Sequence, residues 1–142
     1  MRTAQLKDPN LRPIIGWMES AKAAPEWNKA LPLSEEMKEL WRQWDLLVLV
    51  NGVLHSEWIT VVGHTLWVQL IPPREIRREM IRLVHEGAAG HLGARKTVVQ
   101  ICRSTYWRGW RGDADRFCRA GDGAVATTAV THRGRRTYKT CR

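Results

Sequence analysis

The stretch Val84–Ala124 decides how this chain is interpreted, and its sequence is VHEGAAGHLGARKTVVQICRSTYWRGWRGDADRFCRAGDGA. His85 and His91 flank a turn rich in glycine and alanine, and helical patterns lie on both sides of Tyr106-Trp107. Because neutral imidazole is a common zinc ligand, two histidines at this spacing indicate half of a metal site. A tetrahedral structural zinc needs two further ligands, which usually come from a C-x-x-C pair downstream.

The whole stretch resembles the zinc-binding N-terminal domain of integrases from retroviruses and gypsy-type LTR retrotransposons. That family has the pattern H-x5-H-L-G-x2-K-T, then Y-W-x-G-(hydrophobic)-x2-D, then C-x2-C. The chain matches it in register at His85, His91, Leu92, Gly93, Lys96, Thr97, Tyr106, Trp107, Gly109, Trp110 and Asp113. The two family cysteines fall on Gly121 and Ala124, and neither residue can bind zinc. The resemblance therefore implies the family fold with half of its metal site missing.

For the cofactor, the resemblance implies zinc that is bound weakly or not at all. The residual metal ligands would be His85 and His91, and Cys118 is a possible substitute one helical turn before Gly121. The alternative for Cys118 is a small buried apolar side chain. A structural zinc contributes ~10–16 kcal/mol of apparent binding energy, whereas a domain has a net stability of only ~5–15 kcal/mol. Loss of the metal would destabilise the region after Gly87, unless a sheet packed on the preceding helix stabilises it.

The residues before this stretch predict helices and then a small sheet. Residues 1–10 are polar and are predicted to be loosely structured, with Asn10 capping a helix from Leu11 to Lys22. Residues 23–33 contain two prolines and are predicted to be a linker. Ser34 is a good N-cap for the next helix. The apolar stripe of that helix is Met37, Leu40, Trp41 and Trp44.

A three-stranded antiparallel meander is predicted after that helix. Leu46–Val50 is a run of β-branched and leucine residues, and the dipeptide Asn51-Gly52 favours a type I′ hairpin turn. Val53–Trp58 would be the return strand, and Thr65–Ile71 alternates between the two faces of a third strand.

Three helical patterns follow the meander. Pro72-Pro73 suits the start of the first helix, at whose end His85 lies. The predicted buried stripe of this helix is Ile76, Met80, Leu83 and Val84. Further helices are predicted from Gly93 to Arg103 and from Gly112 to Arg119.

The predicted fold class is therefore α+β: a small three-stranded antiparallel meander, a helical integrase-type zinc-binding domain, and a disordered basic C-terminal tail. Residues 1–33 are assigned to an N-terminal helix and linker, and residues 34–72 to a helix plus the meander. Residues 73–124 form the integrase zinc-binding-like helical domain, and residues 125–142 form the basic tail.

Charge and composition favour a polyanionic partner. The 142 residues include 23 Lys and Arg against 14 Asp and Glu, which gives a formal net charge of +9. Such a balance favours nucleic acid first and an anionic membrane surface second. The candidate nucleic-acid-binding residues are Arg95, Lys96, Arg103 and Arg108. No apolar run has the length of a signal peptide or transmembrane segment, so an intracellular location is predicted, and the resemblance implies the nucleus.

For function, the resemblance implies a fragment of a retroelement polyprotein. The fragment would be a module for nucleic-acid binding and integrase assembly in DNA integration, with DNA as its partner and possible self-association. The chain is not predicted to be an enzyme, because the parent polyprotein would have reverse transcriptase and integrase activity but the catalytic core is absent here. Neither a membrane nor a small-molecule substrate is expected as a partner. The alternative is a host-retained protein-interaction domain without zinc or catalysis.

Overall fold

The structure is a computed structural model that describes residues 1–20, 23–30, 32–87 and 93–121. It confirms an α+β fold in which three antiparallel strands are followed by helices. The predicted tail, residues 125–142, lies outside the described residues. In chain order the elements are α1 (Arg2–Lys7), α2 (Leu11–Ser20), α3 (Trp27–Ala30), α4 (Glu35–Arg42), β1 (Leu47–Val50), β2 (Val53–Ile59), β3 (Thr65–Leu70), α5 (Arg77–His85), α6 (Ala94–Ser104) and α7 (Trp110–Gly121).

The sheet is a meander in the order β1-β2-β3, and both pairs of strands are antiparallel. Val50 pairs with Val53 at the end of the first hairpin. Between them, Asn51 and Gly52 have φ angles of 51° and 72°. Positive φ at both central residues is the type I′ geometry, so the predicted turn is confirmed.

The N-terminal residues are helical, and the prediction that they are loosely structured is wrong. Gln5 of α1 is fully buried. Its Nε2 donates hydrogen bonds to the carbonyl oxygens of Leu54 (3.0 Å) and Ile71 (2.7 Å), and its Oε1 accepts from the Leu54 N–H (2.8 Å). The polar side chain is buried because it satisfies backbone groups of the sheet, a role that a polarity pattern does not reveal.

Two residues cap the helices α2 and α4. At α2 the cap is Asp8 rather than the predicted Asn10, since Asp8 Oδ1 accepts from the N–H groups of Asn10 (2.8 Å) and Leu11 (3.3 Å). At α4 the prediction is confirmed, because Ser34 Oγ accepts from the Met37 N–H (3.3 Å). The Ser34 hydroxyl in turn donates to Asn10 Oδ1 (2.7 Å) and so ties the two helix starts together.

The larger hydrophobic core lies between the N-terminal helices and the sheet. It consists of Leu11, Ile14, Ile15, Leu40, Leu47, Leu54, Ile71 and Tyr106. Tyr106 comes from the segment after α6, and its N–H donates to the Leu70 carbonyl at the end of β3 (2.8 Å). Nearby, Gln69 Nε2 donates to the Cys102 carbonyl. The helices after the meander are thus anchored to β3, although the boundaries of the four assigned regions stay predictions.

A smaller core lies among α5, α6 and α7, and it consists of Ile81, Ile101 and Trp107. The stripe predicted for α5 is wrong: Ile81 and His85 are buried, whereas Leu83 is 57% exposed. The buried face of α5 is the one that packs on α6 and α7, where Ile81 contacts Ile101 and Trp107, and Val84 of the predicted stripe is partly buried against this core. Among the helices after the meander, α6 is the one that packs on β3, not α5 as the sequence suggested.

Candidate metal centre and basic surface

His85, the last residue of α5, is only 8% exposed. Its Nδ1 lies 3.0 Å from the Thr97 hydroxyl, which donates to the Gly93 carbonyl at the start of α6 (3.2 Å). A hydroxyl has one proton, so in this arrangement Nδ1–H donates to Thr97 and the lone pair lies on Nε2. Metal-binding histidines are usually oriented in this way, by a hydrogen bond from the other ring nitrogen.

Cys118 of α7 is the second potential metal ligand at this position. Its side chain is buried, and its Sγ lies 3.8 Å from His85 Nδ1. This contact is with the nitrogen that bonds to Thr97, not with Nε2, which is the nitrogen left for a metal. The edge of the Phe117 ring closes the other side, with its centroid 5.9 Å from the His85 ring. Both alternatives for Cys118 are therefore compatible with the structure, since its side chain is buried and also lies next to His85.

The remaining predicted ligands do not complete this pair in the part of the chain that the structure describes. His91 and Ala124 lie outside the described residues. Gly121 ends α7 and has no donor atom in its side chain. Among the described residues, no three His, Cys, Asp or Glu side chains come close enough to hold a metal ion. One imidazole and one thiol do not by themselves fit a structural zinc, which needs four ligands.

The four predicted nucleic-acid-binding residues are all exposed, but the structure does not bring them into one site. Arg95 and Lys96 lie in the first turn of α6, and Arg103 lies in its last turn. Lys96 and Arg103 are seven residues apart and therefore share one face of the helix. None of the four forms an ion pair with a described residue. Arg108 lies elsewhere, at the rim of a cleft.

That cleft is a basic surface that the sequence interpretation missed. Its volume is about 870 Å³, and its walls come from α4, the 3₁₀ turn before α5, α5, and α7. The residues that line it are Glu36, Arg74, Arg77, Arg78, Ile81, Arg108, Asp113, Arg116, Phe117 and Ala120. The sequence signal for this surface is the arginine-dense segment PPREIRREMIR at residues 72–82.

The structure thus contains a small helical module, with a buried His–Cys pair, that follows a β-meander. Residues 72–122 match the family model described as the integrase zinc binding domain. This match confirms the resemblance and identifies that segment as an integrase-related module, of a kind that is accessory rather than catalytic. No significant match was found among curated proteins or among solved structures. Within the described residues, no helix is both long enough and apolar enough to cross a membrane.

Proposed function

We propose that this chain is part of a retroelement polyprotein, where it serves as a module for DNA binding and integrase assembly in the nucleus. The proposal rests on one observation: the segment that matches the integrase family also presents exposed cations without carboxylate partners among the described residues. Three of them, Arg95, Lys96 and Arg103, lie on α6. Such side chains bind backbone phosphates independently of sequence, and they position a duplex without acting on it chemically.

In this proposal the metal site is residual. His85 and His91 are the remaining family ligands, Cys118 is the substitute for the missing cysteines, and Thr97 orients His85. A bound zinc would supply structural stability and no reaction chemistry. The position of the buried Cys118 thiol beside the His85 ring supports Cys118 as the first candidate for a third ligand.

The DNA-binding part is tested with a fluorescein-labelled duplex titrated at several salt concentrations. Replacement of Lys96 and Arg103 by alanine is expected to lower the slope of log K against log salt by about 1.8, or about 0.9 for each phosphate contact. The control replaces Lys7 and Arg12, which are exposed on the N-terminal helices, and is expected to leave binding unchanged. Binding of a protein partner without salt-sensitive DNA binding would refute the proposal and favour the protein-interaction alternative.

The metal part is tested by metal analysis of the purified chain beside a Gly121→Cys/Ala124→Cys variant. The expectation is almost no zinc in the natural chain and about one zinc per chain in the variant, because a four-ligand site should be filled. One zinc in the natural chain that disappears in Cys118→Ser would show that Cys118 compensates for the loss. No zinc in either protein would contradict the assignment of Gly121 and Ala124 as the family cysteine positions.

A further inference from the structure

We infer that the cleft among α4, α5 and α7 binds phosphate groups of a single nucleic-acid strand; this inference rests on the proposed DNA-binding function and locates a second contact surface. The cleft contains five arginines and two carboxylates. The first question is therefore which of these charges are already paired within the protein.

Both carboxylates are engaged with neighbouring side chains. Glu36 at the start of α4 pairs with Arg77 of α5, and both side chains are largely buried. Asp113 Oδ2 accepts a hydrogen bond from Trp107 Nε1 (2.7 Å), and its Oδ1 pairs with Arg116. These contacts neutralise two of the five arginines and give the cleft a fixed frame.

Three arginines of the cleft are left for a ligand. Arg74, Arg78 and Arg108 are exposed, and none of them forms an ion pair with a described residue. A guanidinium group presents a planar fork of donors that matches phosphate oxygens in a bidentate manner. The cleft also contains Ile81 and Phe117, and apolar walls strengthen the attraction between the remaining charges and an anion.

The size of the cleft favours one strand over a duplex. Its volume of about 870 Å³ lies in the range of ~300–1,000 Å³ that is usual for small-ligand pockets. A segment of one strand fits into such a space, whereas a duplex can only touch its rim. The cleft also lies apart from the Lys96–Arg103 face of α6, because no residue of α6 lines it. The two basic surfaces can therefore be tested separately.

The test measures the anisotropy of a fluorescein-labelled oligothymidine with the natural chain and with Arg74→Ala/Arg78→Ala. The cleft variant is expected to bind about tenfold or more weakly, because each lost charge-assisted hydrogen bond corresponds to about a factor of ten in the binding constant. Arg78→Lys should recover only part of the loss, since an ammonium lacks the bidentate fork. The Lys7→Ala/Arg12→Ala control is expected to bind like the natural chain. Thermal unfolding of each variant checks that the fold is intact.

A second measurement maps the site directly. Phenylglyoxal modifies accessible guanidinium groups, and mass spectrometry of the peptides measures the modification of each arginine. The oligonucleotide is expected to protect Arg74, Arg78 and Arg108, while equal protection by inorganic phosphate would identify free phosphate as the source of the ligand.

If the chain binds DNA but the cleft variant binds equally well and the three arginines are not protected, only this inference fails. If the natural chain binds no nucleic acid, the proposed function fails with it. Tighter binding of polyglutamate than of oligothymidine would also overturn the inference, in favour of an acidic peptide.

Discussion

The two halves of the molecule differ in the size of their hydrophobic cores. Among the described residues, the N-terminal helices and the meander share a core of eight buried residues, one of which, Tyr106, comes from the segment after α6. In the part of the chain that the structure describes, the core cluster of α5, α6 and α7 has three buried residues, Ile81, Ile101 and Trp107. A small core is sufficient in a metal-stabilised module, because the bound ion supplies much of the folding free energy.

In this chain the small half also depends on the large one. The Tyr106 backbone N–H bonds to Leu70, and the Gln69 side chain bonds to the Cys102 carbonyl. Both contacts join β3 to the end of α6 or to the residues just after it. The helices of the smaller core are therefore attached to the neighbouring sheet as well as packed on one another.

The largest effect is expected from Leu54→Ala, compared with Ile101→Ala. Both side chains are fully buried, and each truncation should cost about 2–5 kcal/mol of unfolding free energy. Leu54 lies in the larger core, to which Tyr106 of the C-terminal half also belongs. Truncation of the Leu54 side chain should therefore lower hydrogen-exchange protection in both halves. Ile101 lies in the small core, so its loss should lower protection mainly in α5–α7. Hydrogen exchange with mass spectrometry resolves the two patterns. Equal loss across the whole chain from Ile101→Ala would show that the halves unfold as one unit.

Signals from residues close together in the sequence were sufficient to predict much of the fold. The Asn51-Gly52 turn and the Ser34 cap depend on neighbouring residues only, and both were predicted correctly. The helical pattern placed His85 at the end of a helix, and the structure confirms this position.

Contacts between distant residues could not be predicted from the sequence. Gln5 bonds to backbone groups far along the chain, and nothing in residues 1–10 indicates that partner. The buried face of α5 is set by its packing against α6 and α7, so the apolar pattern of α5 alone did not identify it. The basic cleft could not be predicted either, because it depends on how α4, α5 and α7 are placed relative to one another.

A smaller effect is expected when the N-terminal helix is detached from the sheet by Gln5→Leu. The variant leaves the Leu54 N–H and the Ile71 carbonyl without their Gln5 partner, whereas the Leu54 carbonyl still accepts from the Ile71 N–H (3.2 Å). Each unsatisfied buried group is costly, so a loss of about 2–3 kcal/mol is expected in urea unfolding. The control is Gln100→Leu on the exposed face of α6, which should stay within about 0.5 kcal/mol of the natural chain. A Gln5 variant as stable as the control would show that α1 contributes little to the larger half.

The smallest effect at neutral pH is expected from Tyr106→Phe, at the junction of the halves. The Tyr106 hydroxyl accepts from Gln43 Nε2 (2.6 Å) and donates to Glu39 Oε1 (3.1 Å), so its removal should cost about 1 kcal/mol. Burial, the largest cause, together with the Glu39 carboxylate raises the pKa of Tyr106 from 10.0 to about 12.

The raised pKa of Tyr106 makes this contact sensitive to high pH. The folded state favours the neutral phenol, so the stabilisation from Tyr106 is complete below pH 10 and is lost as the pH rises from 10 to about 12. Urea unfolding across this range should therefore show a steeper loss of stability for the natural chain than for Tyr106→Phe, which shares every other titrating group. Parallel curves would mean that the phenol is solvated, and the two halves would then be joined by the backbone and Gln69 contacts without help from the Tyr106 hydroxyl.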